Sequence, residues 1–304
     1  MIRVAAIVGP TAVGKSQLAV RVANVLDAEI VSIDSMQAYR GMGVGTAKPD
    51  AALREAVPHH MLDVFDPERE VTVAEFRDAA RITIGDISSR GHLPLLVGGS
   101  GLYFRAVVDD LRFPPRSQEA RMQLEAESEQ LGAEALHRRL TEIDPVAASR
   151  IEPGNARRTI RALEAIEITG ELFSSNDSWD RYESIYDLHV VGLTLEREVL
   201  YSRIVGRVDK MIADGLEKEA RDLNAAGLGR TARQALGYRQ VLEAAPGADT
   251  DRIRDEIVRA TKRFARRQES WFRSDPRIAW IDAADADVAE KVLRSFESRS
   301  VERA

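Results

Sequence analysis

The sequence predicts an α/β fold: a parallel sheet with helices on both faces, interrupted once by an all-helical insertion. Three observations predict it. Apolar runs alternate with helix-like segments over the first hundred residues. The runs are followed by Gly9, Asp34 and Gly98, residue types that turn a chain or carry charge. The strand signal then fades for a long stretch and returns at Leu188. Apolar strands alternating with helices imply a sheet covered on both faces. The 304 residues suffice for one core plus an insertion.

The elements follow in order. Ile2 to Val8 reads as a strand, and Gly9-Pro10-Thr11-Ala12-Val13-Gly14-Lys15-Ser16 follows it. Ser16 to Leu26 has helical spacing, with Leu18, Val22, Val25 and Leu26 on one side. A strand, a glycine loop ending in Lys-Ser and a helix together make a phosphate-binding P-loop. Its N–H groups turn inward, Lys15 adds positive charge, and Ser16 offers a hydroxyl to Mg²⁺. The helix dipole points at the same spot. The fold class is therefore P-loop NTPase-like, and the loop grips a di- or triphosphate. Ala28 to Ile33 reads as a second strand ending at Asp34, Val73 to Arg90 as a helix, and Leu93 to Val97 as a third strand ending in Gly98-Gly99. Ligands of such sheets bind beyond the carboxyl ends of the strands, so the P-loop, Asp34 and the glycine turn are expected in one crevice.

Ser117 to Leu131, Ala133 to Ile143 and Asn155 to Thr169 read as helices, separated by Asp144-Pro145 and Glu152-Pro153-Gly154. Residues 113–187 are thus the expected insertion, and 1–112 with 188–304 the core. Leu188 to Thr194 is a strand, Glu196 to Ala226 and Thr250 to Ser274 are long helical patterns, and Ile278 to Ile281 is a last strand. The final residues, 298–304, read as a frayed end.

Several groups carry chemistry, each with a plainer alternative. Asp34 can bind Mg²⁺, act as a general base, or cap a helix. Ser100, in Gly98-Gly99-Ser100-Gly101, projects a hydroxyl into the crevice or begins a flexible turn before a helix. His59 and His60, with Asp63, lack a third ligand at metal spacing and read as loop or packing residues. Arg150, Arg157, Arg158 and Arg161 form one basic cluster. Arg259, Lys262, Arg263, Arg266 and Arg273 fall on one helix face, with Ile257, Phe264, Gln268, Trp271 and Phe272 largely on the other. Such stripes are solvated faces or polyanion contacts.

Composition narrows the class. Cys is absent, which removes disulfides and thiolate metal sites. The net charge of −6 argues against a generally basic nucleic-acid binder, though not against local basic patches. No apolar run reaches the length of a membrane span, and the start lacks a signal-peptide pattern. The expectation is a cytoplasmic protein, taken as a monomer.

These motifs resemble the tRNA dimethylallyltransferase family, also called isopentenyl-diphosphate:tRNA transferases. The resemblance covers the P-loop, Asp34 to Met42, Gly45-Thr46-Ala47-Lys48-Pro49, Pro58-His59-His60 and Gly98 to Tyr103. It continues through Arg157 to Glu164, Arg207 to Met211, Gln234 to Tyr238 and Arg266 to Trp271, in family order. The family usually has Thr where this chain has Ser100, which keeps the hydroxyl and loses a methyl. The zinc finger of eukaryotic members has no cysteines to build it here, so the resemblance is to the bacterial type.

The resemblance implies transfer of a dimethylallyl group from dimethylallyl diphosphate to the N6 amine of the adenosine 3′-adjacent to the anticodon. It reassigns the P-loop, with Lys15, to the diphosphate of the prenyl donor, with Mg²⁺ near Ser16 and further donors from Thr11 and Arg207. Asp34 would take the amine's proton, and Ser100 would help place the base or the diphosphate. Asp34, Ser35, Met36, Gln37, Ser100 and the stretch Arg157, Arg158 and Arg161 would face the anticodon stem–loop, with Arg121 a weaker candidate. Two enzyme readings compete: a small-molecule kinase with ATP in the P-loop, and a prenyltransferase acting on free adenine nucleotides. Neither uses the arginine-rich insertion. A non-enzymatic nucleotide switch is the third rival.

Overall fold

The computed structural model describes residues 1–245 and 247–298. The expected frayed end therefore lies almost wholly outside the described residues. Val, Ile and Leu crowd the short apolar runs, and such side chains suit a pleated surface buried on both faces. They form β1 (Arg3–Val8), β2 (Ala28–Ser32), β4 (Leu93–Gly98), β5 (Asp187–Thr194) and β6 (Ile278–Asp282), and the short β3 (His59–His60) joins them without such a run. The sheet has the order β3-β2-β4-β1-β5-β6, and every pairing is parallel. This is the P-loop NTPase-like α/β architecture expected. The adjacent histidines, read as loop or packing residues, form the edge strand β3 through pairing with Ile30 and Val31.

Helices alternate with these strands. α1 (Lys15–Leu26) follows β1, α2 (Ala51–Ala56) precedes β3, α3 (Val73–Ser89) precedes β4, and α4 (Gly101–Val108) follows it. α3 starts where Thr72 and Glu75 satisfy each other's backbone N–H groups in a capping box. After β4 the chain enters α5 (Gln118–Leu131), α6 (Ala133–Ile143), α7 (Pro145–Ser149) and α8 (Ala156–Thr169). After β5 come α9 (Arg197–Ala213), α10 (Leu216–Ala226), α11 (Arg230–Arg233), α12 (Tyr238–Glu243), α13 (Thr250–Arg273) and, beyond β6, α14 (Val288–Ser298). The long helical pattern read over Glu196 to Ala226 holds two helices, because Gly215 adopts φ 94 after Asp214 and ends the first.

The chain divides into two compact units, Met1–Asp109 with Ser184–Ala304, and Asp110–Glu183. These boundaries fall slightly before those expected at 112/113 and 187/188. The second unit has its own core of Leu124, Leu136, Leu140, Ile160 and Leu163. The buried Asp144 carboxylate organises it, accepting from Ala147 N (3.0 Å) and Ser174 N (2.8 Å). Those donors hold its carboxyl below the usual carboxylate range against the cost of burial. In the first unit, Asp109 pairs with Ser184 in an isolated bridge, and Ile185 N donates to Val108 O at 2.9 Å.

Candidate active site

β1 is central, between β4 and β5, and its carboxyl end opens into the P-loop. Gly9 (φ 143) and Gly14 (φ 108) take conformations glycine tolerates, and Ala12 (φ 65) takes one that costs a side chain free energy. Lys15 opens α1, and its Nζ donates to Gly9 O (3.0 Å) and Pro10 O (2.8 Å). Burial and the nearby Arg207 guanidinium push its ammonium down to about 7, while Asp34 opposes them. Arg207 is itself lowered by burial, again opposed by Asp34. Two cations and one carboxylate therefore share a poorly hydrated space, the setting in which charge acts most strongly. Ser16 is exposed on the first turn of α1.

Asp34 follows β2. Its Oδ1 accepts Met36 N at 3.0 Å in a local turn, and its own N–H donates to Ser32 Oγ at 3.3 Å. No helix starts there; the next is α2 at Ala51. The capping alternative is therefore removed. The glycine turn reaches Asp34 from β4: a Cβ on Gly98 would lie 2.5 Å from Ile33 Cγ1 and 3.3 Å from Asp34 N. Ser100 precedes α4 but makes no side-chain cap to it. The P-loop, Asp34 and the glycine turn thus meet at one end of the sheet.

The residues after Asp34 are partly spent on the fold. Gln37 Oε1 accepts from Ser32 Oγ (3.0 Å), and its Nε2 donates to Thr46 O (3.1 Å). Arg207 Nη2 donates to the same Thr46 carbonyl at 3.3 Å. Met36 packs against the main core, and Ser35 is half-buried. The loop bearing Thr46 hangs on Glu219, whose carboxylate accepts from Gly43 N (3.0 Å), Val44 N (2.9 Å), Gly45 N (3.0 Å) and Tyr238 Oη (2.6 Å). Burial, with Glu219 beside it, raises the Tyr238 phenol.

Three site residues escaped sequence reasoning. Arg203 Nη1 donates to Val13 O at 3.2 Å. It stands one helical turn before Arg207, a spacing that was available as a signal. Glu219 had no such signal. Gln268, grouped by spacing with apolar side chains, contacts both the P-loop and the glycine turn.

The basic clusters divide. In the second unit, Arg157 and Arg158 are exposed at the start of α8, with no ion pair among the described residues. Arg161 is tied to Pro114 O, Pro115 O and Glu164. Arg121 pairs with Glu125 at 2.9 Å, and Arg150 with Asp180 at 3.2 Å. On α13, Arg259, Arg263 and Arg266 are exposed without ion pairs among the described residues. Lys262 instead sits 4.9 Å over the Tyr201 ring, and Arg273 pairs with Glu269. Trp271, placed on the apolar side, is 38% exposed, with its indole against Gly101.

The family model described as IPP transferase matches residues 37–275. The chain belongs to the IPP transferase family. A second family model, Isopentenyl transferase, matches residues 2–63. This IPP transferase chain is 52% identical over 301 residues to the tRNA dimethylallyltransferase of Kineococcus radiotolerans, covering 95% of this chain and 94% of the relative. It is 50% identical over 300 residues to that of Salinispora arenicola, covering 97% and 86%. Among solved structures, the tRNA isopentenylpyrophosphate transferase of Bacillus halodurans is similar, with TM-score 0.72, 41% identity and coverage of 99% and 96%. A eukaryotic dimethylallyltransferase acting on tRNA shares the fold, with TM-score 0.85 at 23% identity, covering 100% of this chain and 81% of that one.

Proposed function

We propose that this chain transfers a dimethylallyl group from dimethylallyl diphosphate to the N6 amine of the adenosine 3′-adjacent to the anticodon in tRNA. The observation that carries this reading is the meeting of the P-loop and its Lys15 with Asp34 and the glycine turn at one end of the sheet, in a chain of this family. In the reaction the allylic carbon–oxygen bond breaks and a carbon–nitrogen bond forms. Lys15, Arg207 and the loop N–H groups offset charge on the departing diphosphate. Asp34 accepts the proton that leaves the amine, whose lone pair is otherwise delocalised into the ring. Ser100, two residues beyond β4, would help place the base. The target base must leave its stack to reach such a crevice.

No cluster of three metal-ligating side chains occurs among the described residues. The donor set fits Mg²⁺ held by the exposed Ser16 hydroxyl together with diphosphate oxygens, the usual mode for this ion. There it would supply charge neutralisation on the leaving group. Arg157 and Arg158, without an ion pair among the described residues, and separately Arg259, Arg263 and Arg266, would hold tRNA phosphates. Arg161 and Arg121, with carboxylate partners of their own, would contribute less. No helix among the described residues is long and apolar enough to cross a membrane. A tRNA substrate supports a cytoplasmic location for the activity.

The test is incubation with unmodified tRNA, labelled dimethylallyl diphosphate and Mg²⁺, without ATP. Label in tRNA is expected. Absence of label here, together with ATP turnover in a parallel incubation supplied with ATP, overturns the reading in favour of a kinase, and label only in AMP, supplied in a second parallel incubation, overturns it in favour of the other rival.

A further inference from the structure

We propose that Gln268 is a positioning residue for this transfer, setting the spacing between the P-loop and the glycine turn that carries Ser100. The claim rests on the proposed function, since it assigns the diphosphate to one segment and the base to the other.

β1 and β4 are neighbours, and their last paired residues are Val8 and Gly98. Beyond that pair the ladder stops, and the chains diverge into the two loops. Gln268, 6% exposed on α13, bridges the two loops. Its Oε1 accepts the Thr11 N–H at 2.9 Å, and its Nε2 donates to Gly99 O at 2.9 Å. A Cβ on Gly99 would stand 2.3 Å from that Nε2 and 3.0 Å from Gly9 O, so the three segments are in tight contact. One turn further along α13, the Trp271 indole lies against Gly101. The long helix thus grips the glycine turn twice and the P-loop once.

The chemistry of the group matters. A primary amide offers one acceptor and one donor without charge. A carboxylate at this site would still accept from Thr11 but would face the Gly99 carbonyl with an oxygen. Protonated, it would again supply a donor. The bond also commits the Thr11 N–H to Gln268, leaving the Thr11 hydroxyl as the group that can reach a diphosphate. Transfer needs the amine in line with the allylic carbon, and misplacement by an ångström costs about a hundredfold in rate.

The experiment compares wild type, Gln268→Glu and Gln268→Met from pH 6 to 8 in the tRNA prenylation assay. Hydrogen exchange at the Thr11 amide is read in the same samples. Both variants should lower kcat at pH 8 by about tenfold or more, with KM for each substrate within about threefold. Relative to wild type, Gln268→Glu should recover as the pH falls, and Gln268→Met should not. Exchange at Thr11 should speed up in Gln268→Met. Wild-type kcat in both variants, a loss confined to KM, or equal loss in Gln268→Glu at pH 6 and 8 overturns the proposal. Unchanged exchange at Thr11 overturns the link itself, whatever the activity. A wild-type protein that does not prenylate tRNA refutes the proposed function instead, and the exchange measurement still decides the link.

Discussion

Removing the Glu219 carboxylate should release the loop that carries Thr46. Glu219 accepts four hydrogen bonds, from the N–H groups of Gly43, Val44 and Gly45 and from the Tyr238 hydroxyl. A hydrogen bond to a charged group is worth about 1.5–3 kcal/mol net, and less where water can substitute for the acceptor. Glu219 is only half-buried, so about 1 kcal/mol for each bond is the appropriate figure, and Glu219→Ala should cost about 4 kcal/mol. Glu219→Gln keeps one oxygen for Gly43 and Val44, and its amide can donate to the rotated Tyr238 hydroxyl. Only Gly45 then loses its acceptor, for about 1–2 kcal/mol. Tyr238→Phe removes one bond and should cost about 1 kcal/mol. Urea unfolding should rank the three in that order, with unchanged m-values. At about 2 °C per kcal/mol, the alanine variant should melt about 8 °C lower. Amide exchange at 43–45 should quicken in step. Equal midpoints for Glu219→Ala and wild type, or unaltered exchange at those amides, would refute the reasoning.

Four further outcomes follow from these residues. Asp34→Asn should lower kcat by about 10²–10⁴-fold while leaving tRNA affinity intact, as measured by single-turnover kinetics and filter binding; undiminished turnover sinks the general-base role. Lys15 is held at about 7 against an ordinary 10.5, so at pH 8 it is mostly neutral until an anion binds and raises it again. Pyrophosphate binding at pH 8 should therefore take up about one proton more than in Lys15→Arg, measured by calorimetry in buffers of different ionisation heat; equal uptake contradicts the assignment. The same shift makes the folded protein gain stability as pH rises from 7 towards 10.5, where the unfolded lysine holds the proton that the folded one has lost. Reversing charge at Arg157 and Arg158 should weaken tRNA binding and flatten log K against log salt by about 1–2 units of slope; a slope that stays put removes these arginines from the RNA contact.

The elements legible in the sequence were those whose signal is local. β1, β2 and β4 are apolar runs closed by glycine or aspartate, and the P-loop, Asp34 and Ser100 follow them directly. β3 was not legible, because two half-buried histidines at a sheet edge show no periodicity. The break at Gly215 was hidden by helical spacing that continues on both sides of it. Gln268 and Glu219 act through contacts 257 and about 175 positions away in the chain. Spacing along one helix gives the face a residue occupies, not what meets that face. The same limit applies to Arg161, which spacing grouped with Arg157 and Arg158 although its guanidinium is anchored to the 114–115 backbone.

The bridge between Asp109 and Ser184 has a consequence for descent. The two ends of the helical unit leave the core at adjacent points, flanked by the Val108–Ile185 hydrogen bond. A segment attached in this way is a cassette. It can be gained, enlarged or exchanged through a single crossover site, and a short turn from 109 to 184 would reseal the chain without parting any two strands of the sheet. Such an exchange would leave the P-loop, Asp34 and the glycine turn as they are, because all three lie in the other unit.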